Sequence, residues 1–464
     1  MAGSSHTTWV LRFLDELADR GHNVTFLTLE ENVRFGAAYP KIHTVSTGQQ
    51  AVDASQLFRD MGSHLEPLQI IPKVFELLGP NWRPGYDATI KYIETNPVDV
   101  MICDHMSDPC RDAAHVKNKP LIITSTLAVF PDAATSYINN NPMSMSEFTT
   151  LHQSFLLRFY NNFILPLRIF PKIKPQFDKL NELKRNAGAT NLPPFQQSTK
   201  HALKIVSSVF GLDPARPVGP LVELVGPILS RTYPDLDPEL AEFLNRHKRV
   251  AYVAFGQHAM PDAHDIALLS TALVAQLEKG NLDGILWSGR HAVPTDQRIR
   301  VTRWSPQMAV LLHPSTRVFV SHGGSNSLVE ALYAGKRLLF FPFFGDQLGT
   351  AKHLSYAGLA EALDHTMDLA TVNGLVEKVI VDQDGKYQES IDRYQSLIQI
   401  HSQAAPRRAA DLVEEVAFTH QGPHITHRED FARSMPWYKR SNADLYIPIV
   451  LFILAIHYIV QKRL

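Results

Sequence analysis

Cysteine is nearly absent: Cys103 and Cys110 are the only two in 464 residues. A scaffold built on disulfides is excluded, and a single bridge stays open. An excess of one charge is also missing, since 45 Lys and Arg stand against 46 Asp and Glu, a formal net charge of −1. Proteins that grip nucleic acid through its phosphates usually carry a basic stripe, so no nucleic-acid partner is expected. Neither a Gly-x-Gly-x-x-Gly run nor a Walker-type loop occurs, which argues against NAD and ATP. The opening residues Met1 to His6 are polar, with no basic patch leading into an apolar run, so no secretory signal is visible. Cys103, His105, Cys110 and His115 fit no common zinc spacing, and Asp235-Leu236-Asp237 lies among prolines, where Asp237 reads as a helix cap. No metal is expected.

Length and apolar content are ample. A 464-residue chain that is 45% hydrophobic can build two cored domains of about 200 residues each, plus a tail. Val10 to Ala18 places its apolar residues on one helical face, Gly21 closes that helix, and Val24 to Thr28 reads as a strand. A Rossmann-like half normally offers a strand before such a helix, and here none precedes it. Strands follow at Val98 to Cys103, ending at Asp104, then at Leu121 to Thr124 and Ile205 to Ser208. Met143 to Leu183 is aromatic-rich and helical in pattern, with a break from Asn186 to Pro194. Asp213 to Pro238 holds six prolines and reads as an extended linker. Beyond it strands and helices alternate, with strands at 250–255, 284–287, 299–303, 318–320 and 338–341, the pattern of a parallel sheet covered on both faces. A helix is expected from about Arg407 to Ala417. The expected division is 1–212, a linker at 213–238, 239–420, a juxtamembrane segment at 421–444 and an apolar helix at 445–461.

That last helix has no formal charge from Leu445 to Val460. It is on the short side of the ~17–25 residues a membrane span needs. Trp437 and Tyr438 precede it and Lys462 and Arg463 follow, the flanks of a single span whose short tail is cytosolic. The competing reading is a terminal helix docked on the core.

One stretch carries the chemistry. Val318 to Val320 is a strand, His322-Gly323-Gly324 a tight turn, and Asn326 to Ala334 a helix ended by Gly335. A strand–turn–helix junction points free N–H groups and the positive end of the helix dipole at an anion. His322, Asn326 and Ser327 add side-chain donors, although an ordinary βα turn can look the same. Glu330, one turn on, can accept both hydroxyls of a ribose or merely sit in solvent. Trp304, before Pro306 and Gln307, offers a flat face for a base or fills a core. Asp346 and Gln347 lie past the next strand, where they suit sugar hydroxyls or cap a turn. Ligands bind at this edge of open α/β sheets, so these groups together suit a base, a ribose, a diphosphate and a sugar.

Trp304-Ser305-Pro306-Gln307, His322-Gly323-Gly324-Ser325-Asn326-Ser327 and Asp346-Gln347 resemble the donor-binding signature of the UDP-glycosyltransferase family. The resemblance extends to Gly3-Ser4-Ser5-His6, to Arg20 through Thr25, to Asp99 through Asp104 and to the terminal apolar helix. It implies a GT-B fold: two Rossmann-like α/β domains facing a cleft, the first for the acceptor and the second for the UDP-sugar. By resemblance Trp304 stacks on uracil, Gln307 reaches the uridine and Glu330 holds the ribose. His322, Gly324, Asn326 and Ser327 hold the diphosphate, and Asp346 and Gln347 the transferred sugar. His6 corresponds to the catalytic base and Asp104 to its carboxylate partner. Gln257 and Thr350 depart from the family pattern near the phosphates and the sugar. The implied reaction is inverting transfer of a hexose, glucose before glucuronic acid, to a hydroxyl of a lipophilic acceptor, without a cofactor. The apolar helix places it in a membrane, with the endoplasmic reticulum the expected one. The alternatives are an idle UDP-sugar-binding scaffold whose first strand is missing, and a sugar-nucleotide epimerase.

Overall fold

A computed structural model describes residues 3–52, 67–139, 147–289 and 293–463. The helical stretch expected from Met143 thus starts outside the described residues, and its described part begins at Phe155. The first helix, Ser4–Asp19, buries Trp9, Leu11, Phe13, Leu14 and Leu17. Gly21 follows it at φ +93°, the left-handed stop its position predicted. β1 (Thr25–Thr28) pairs in parallel with β2 (His43–Ser46). β3 (Met101–Asp104), β4 (Leu121–Ser125), β5 (Leu203–Val206) and β6 (Val222–Leu224) form a second parallel sheet in that order. Every residue of β4 and β5 is buried, and β5 lies two residues before the expected Ile205 to Ser208 because the strand takes in Leu203 and the buried Lys204. Among the described residues β1 does not pair with β3, so the sheet of the N-terminal half lies in two pieces.

Cys103, in β3, is bridged to Cys110, in the Asp108–Val116 helix, with their Cα atoms 5.8 Å apart. The bridge consumes both thiols, so Cys103, His105, Cys110 and His115 form no metal set.

The proline-rich segment differs from a free linker. β6 lies inside it and pairs with β5 at the edge of the sheet. The buried Arg216 guanidinium donates to the carbonyls of Ala128, Ala133 and Pro214, holding residues 213–224 to the N-terminal half. An edge strand needs only one ladder, so it tolerates the prolines around it.

The C-terminal half is a six-stranded parallel sheet, ordered β12-β11-β10-β7-β8-β9. Its strands are β7 (Val250–Ala254), β8 (Gly284–Ser288), β9 (Ile299–Thr302), β10 (Thr316–Ser321), β11 (Arg337–Phe340) and β12 (Ala360–Ala362). Helices cover both faces. Tyr252, Leu286, Phe319 and Phe340 fill one core, and Val253, Trp287, Val320 and Phe341 the other. The helix expected near Arg407 to Ala417 is the end of a 34-residue helix, Lys386–Thr419. Its Ile391 and Ile398 pack in the C-terminal core, whereas Ala405, Ala409, Leu412 and Val416 pack on Trp9, Leu11 and Leu17. The chain thus returns to the half where it began. Arg20 secures the crossing by ion pairs to Glu414 at 2.7 Å and Asp411 at 2.8 Å. The last helix, Ala443–Arg463, is exposed along its length and does not dock on the core.

Candidate active site

The two halves meet where the first helix faces the C-terminal edge of the large sheet. His6 lies in the first turn of Ser4–Asp19, and Asp104 is the last residue of β3. His6 Nδ1 is 2.9 Å from Asp104 Oδ2. With Nδ1–H donating to that carboxylate, Nε2 is left as the basic nitrogen. Burial opposes the His6 cation, but the hydrogen bond and charge of Asp104, aided by Asp346, outweigh it and raise the pKa above its ordinary value. Burial likewise opposes the Asp104 anion, yet His6 and His105 hold its pKa below the usual carboxylate range. His105 stacks on His6 with ring centroids 5.3 Å apart, and burial lowers its pKa. Sequence reasoning did not give His105 a place here, although it directly follows Asp104.

From the other side come the residues of the β10 turn. Gly323 has φ +89°, and Gly324 leads into the Ser325–Tyr333 helix with no side-chain cap. First-turn N–H groups therefore face outward, as an anion requires. A Cβ on Gly324 would collide with His322 Nε2, so glycine is needed for the histidine to lie against the turn. Burial, with His258 nearby, pushes the His322 pKa down to about 4, so its imidazole is neutral near pH 7. Asn326 Nδ2 donates to Ser5 O at 3.4 Å across the cleft, tying this helix to the one that carries His6. A cavity at the junction is lined by Thr8, Ser207, Ser230, Ser325, Asn326 and Glu330.

Gln307, Ser327 and Glu330 converge. Gln307 Nε2 donates to Glu330 Oε2 at 2.8 Å and to Ser327 Oγ at 3.1 Å. Burial raises the Glu330 pKa, and the Gln307 bond opposes that rise. Trp304, on the loop after β9, is 65% exposed and so is no core tryptophan. Asp346 begins the Gln347–Tyr356 helix, hydrogen-bonds Ser325 and has its pKa raised by burial. Gln347 is tucked inward: its side-chain oxygen accepts from the N–H groups of Phe343 (2.9 Å) and Phe344 (3.3 Å). Thr350 is buried, whereas Gln257 is exposed on the loop after β7. Among the described residues two groups could each hold a metal ion, His6 with Asp104 and His105, and His201 with His424 and Glu429.

Comparison with known proteins gives one answer. The family model described as UDP-glucoronosyl and UDP-glucosyl transferase matches residues 132–464. UDP-glycosyltransferase stmC of Aspergillus ustus is 27% identical, over 96% of this chain and 92% of its own. UDP-glucuronosyltransferase 2A3 of Homo sapiens is 24% identical over 95% and 87%. Among solved structures, the glycotransferase of kitacinnamycin superposes with a TM-score of 0.66 at 19% identity, over 89% of this chain and 96% of that one. A UDP-glucose:anthocyanidin 3-O-glucosyltransferase in complex with UDP superposes at 0.62 with 18% identity, over 89% and 97%. The fold is therefore GT-B, with its two parallel sheets.

Proposed function

The chain belongs to the UDP-glucoronosyl and UDP-glucosyl transferase family, and from that premise we propose that it moves a hexose from a UDP-sugar to a hydroxyl of a lipophilic acceptor. It is a UDP-sugar glycosyltransferase, and glucose, with glucuronic acid second, is our choice of donor sugar. The observation that carries the reading is the His6–Asp104 pair, 2.9 Å apart, opposite an uncapped helix N-terminus.

In the proposed reaction His6 Nε2 takes the acceptor hydroxyl proton, and Asp104 orients the imidazole and stabilises its cation. The acceptor oxygen bonds to the anomeric carbon on the face opposite the diphosphate. The bond from that carbon to the phosphate oxygen breaks, and its electron pair leaves with UDP. Negative charge then grows at the Ser325–Tyr333 helix N-terminus, beside Asn326, Ser327 and a neutral His322. Trp304 is assigned the uracil, Gln307 and Glu330 the uridine, and Asp346 the sugar. Gln347 is assigned there too, and since its oxygen is spent on Phe343 and Phe344, it has only its amide N–H groups to offer. No metal enters this reading, because backbone and side-chain donors are assigned to the diphosphate.

A membrane setting is part of the proposal. Ala443–Arg463 is apolar and exposed, with a mean hydropathy of 2.1 over an 18-residue stretch of Ala443–Lys462. The Cys103–Cys110 bridge suits an oxidising lumen, such as that of the endoplasmic reticulum, for the catalytic half. Lys462 and Arg463 suit a cytosolic tail.

One observation favours the idle-scaffold alternative: among the described residues β1 does not pair with β3. Release of UDP from UDP-glucose and UDP-glucuronic acid, measured with phenol and sterol acceptors, decides between the two. Glycoside formation that depends on His6 supports transfer. UDP binding with no turnover, unchanged in His6→Ala, supports the scaffold.

A further inference from the structure

A group of metal-ligating side chains lies away from the cleft. His201 stands just before β5, and His424 and Glu429 lie on the segment that follows the Lys386–Thr419 helix. His201 Nδ1 is 2.9 Å and His424 Nδ1 2.7 Å from the same carboxylate oxygen, Glu429 Oε1. The two imidazoles meet edge to face, with ring centroids 4.4 Å apart. The three ligand atoms all lie within 4.8 Å of one another. Their backbones are well anchored. Ala202 and Leu203 are buried beside His201, and Ile425 is buried beside His424. His424 also closes a turn with Gln421 through backbone hydrogen bonds of 2.8 and 3.2 Å. The group is remote from the reaction. β3, β4 and β5 run parallel, and Asp104 closes the C-terminal end of β3, whereas His201 lies off the N-terminal end of β5. The two sites therefore sit at opposite edges of this sheet.

We propose that His201, His424 and Glu429 bind one zinc ion, with water as the fourth ligand. Both rings aim at one oxygen of the carboxylate rather than taking one each, the convergence that a cation requires. Two imidazoles and a carboxylate form a common zinc donor set, tetrahedral with bonds of ~2.0–2.2 Å. Ligand atoms in such a tetrahedron lie about 3.3 Å apart, so the carboxylate withdraws from each imidazole by roughly 0.5 Å as the ion enters. The side chains of His201, His424 and Glu429 are 36, 42 and 29% exposed, which gives them room for that shift and gives the ion a path from solvent. An imidazole that donates Nδ1–H to Glu429 moves that proton to Nε2 by exchange with water and gives its Nδ1 lone pair to the ion. Binding therefore asks for no net loss of a proton. The ion fastens the start of β5 to the segment that leads toward the terminal helix. It braces the return crossing and takes no part in sugar transfer.

The test uses the full chain without a histidine tag, stripped with EDTA and dialysed, then titrated with zinc chloride in a calorimeter. One tight site is expected. It should persist in His6→Ala, which breaks up the His6, Asp104 and His105 group. It should weaken in His424→Gln and in Glu429→Gln by more than the ~10–100-fold that loss of an outer-shell partner costs. Each of these changes keeps a hydrogen-bonding group at its position. Zinc should raise the melting temperature of the native chain and leave that of the two variants where it was. A second measurement needs no variant. Diethyl pyrocarbonate modifies accessible imidazoles, and equimolar zinc should protect His201 and His424 from it in peptide maps of the native chain. The proposal is overturned if the native chain shows no tight site, or if His201 and His424 are modified equally with and without zinc. It is also overturned if the tight site disappears in His6→Ala, which would place the ion at the cleft. Turnover is not read, so failure here leaves the proposed transferase activity untouched.

Discussion

His6 is half-buried, yet its pKa is raised, because the Asp104 hydrogen bond and charge outweigh desolvation. A base must be neutral to accept a proton, so kcat/KM should rise with pH through an inflection above the ordinary ~6.5 of histidine. Asp104→Asn removes the charge that favours the cation and should move that inflection to lower pH as turnover falls. His6→Ala should lower kcat by ~10²–10⁴, the usual weight of general-base catalysis, with the Kd for UDP unchanged. A pH–rate series on the three proteins reads both effects. The same pair adds a stability contribution of defined sign. Since the folded pKa lies above the unfolded one, that contribution is full below the ordinary histidine pKa and is lost as pH rises through the raised value. Melting temperatures followed against pH should show this loss in the native chain and not in His6→Ala.

At the scale of elements, the β10 turn and the helix after it depend on two glycines for different reasons. Gly323 needs a positive φ, and Gly324 needs the absence of a Cβ against His322. Gly324→Ala should cost about 1–3 kcal/mol of stability by overpacking and weaken UDP binding more than Gly323→Ala does, as urea melts and calorimetry would register. The Cys103–Cys110 bridge closes a short loop between β3 and the following helix, next to Asp104. Reducing it should remove roughly 2–3 kcal/mol by the chain-entropy account and lower the melting temperature. Elements with strong local signals were legible from the residues alone. β4, β7, β8 and the Val318 to Val320 centre of β10 are buried and mostly apolar, and the His322 turn announces itself by its glycines. β2, β6 and β12 are three or four residues long and only partly buried, too short to show a period. The Pro67–Thr95 helix contains Pro72, Pro80 and Pro84, which conceal a 29-residue helix that tertiary packing sustains. The inward turn of Gln347 was invisible for another reason: its partners are backbone N–H groups, which leave no trace in side-chain pattern.

At the scale of the whole molecule, the long Lys386–Thr419 helix joins both halves, and Arg20, Glu414 and Asp411 fasten it to the first helix. The sequence led us to expect a helix from about Arg407 to Ala417 but not which half it would cover, so the return crossing emerged only in three dimensions. The cleft it spans is where a UDP-sugar is proposed to lie. Because protein donors are assigned to the diphosphate, turnover should be unchanged by EDTA, which an assay with and without the chelator would establish. The central claim is that uridine diphosphate lies across the C-terminal edge of the large sheet, with its base on Trp304 and its ribose on Glu330. Calorimetric titration of UDP into the native chain and into Trp304→Ala tests it most directly. The account predicts one saturable site, weakened in the variant by ~1–3 kcal/mol, about 5–150-fold in Kd, the usual worth of a base stacked on an aromatic ring. No heat of binding, or equal affinity in the two proteins, would contradict it.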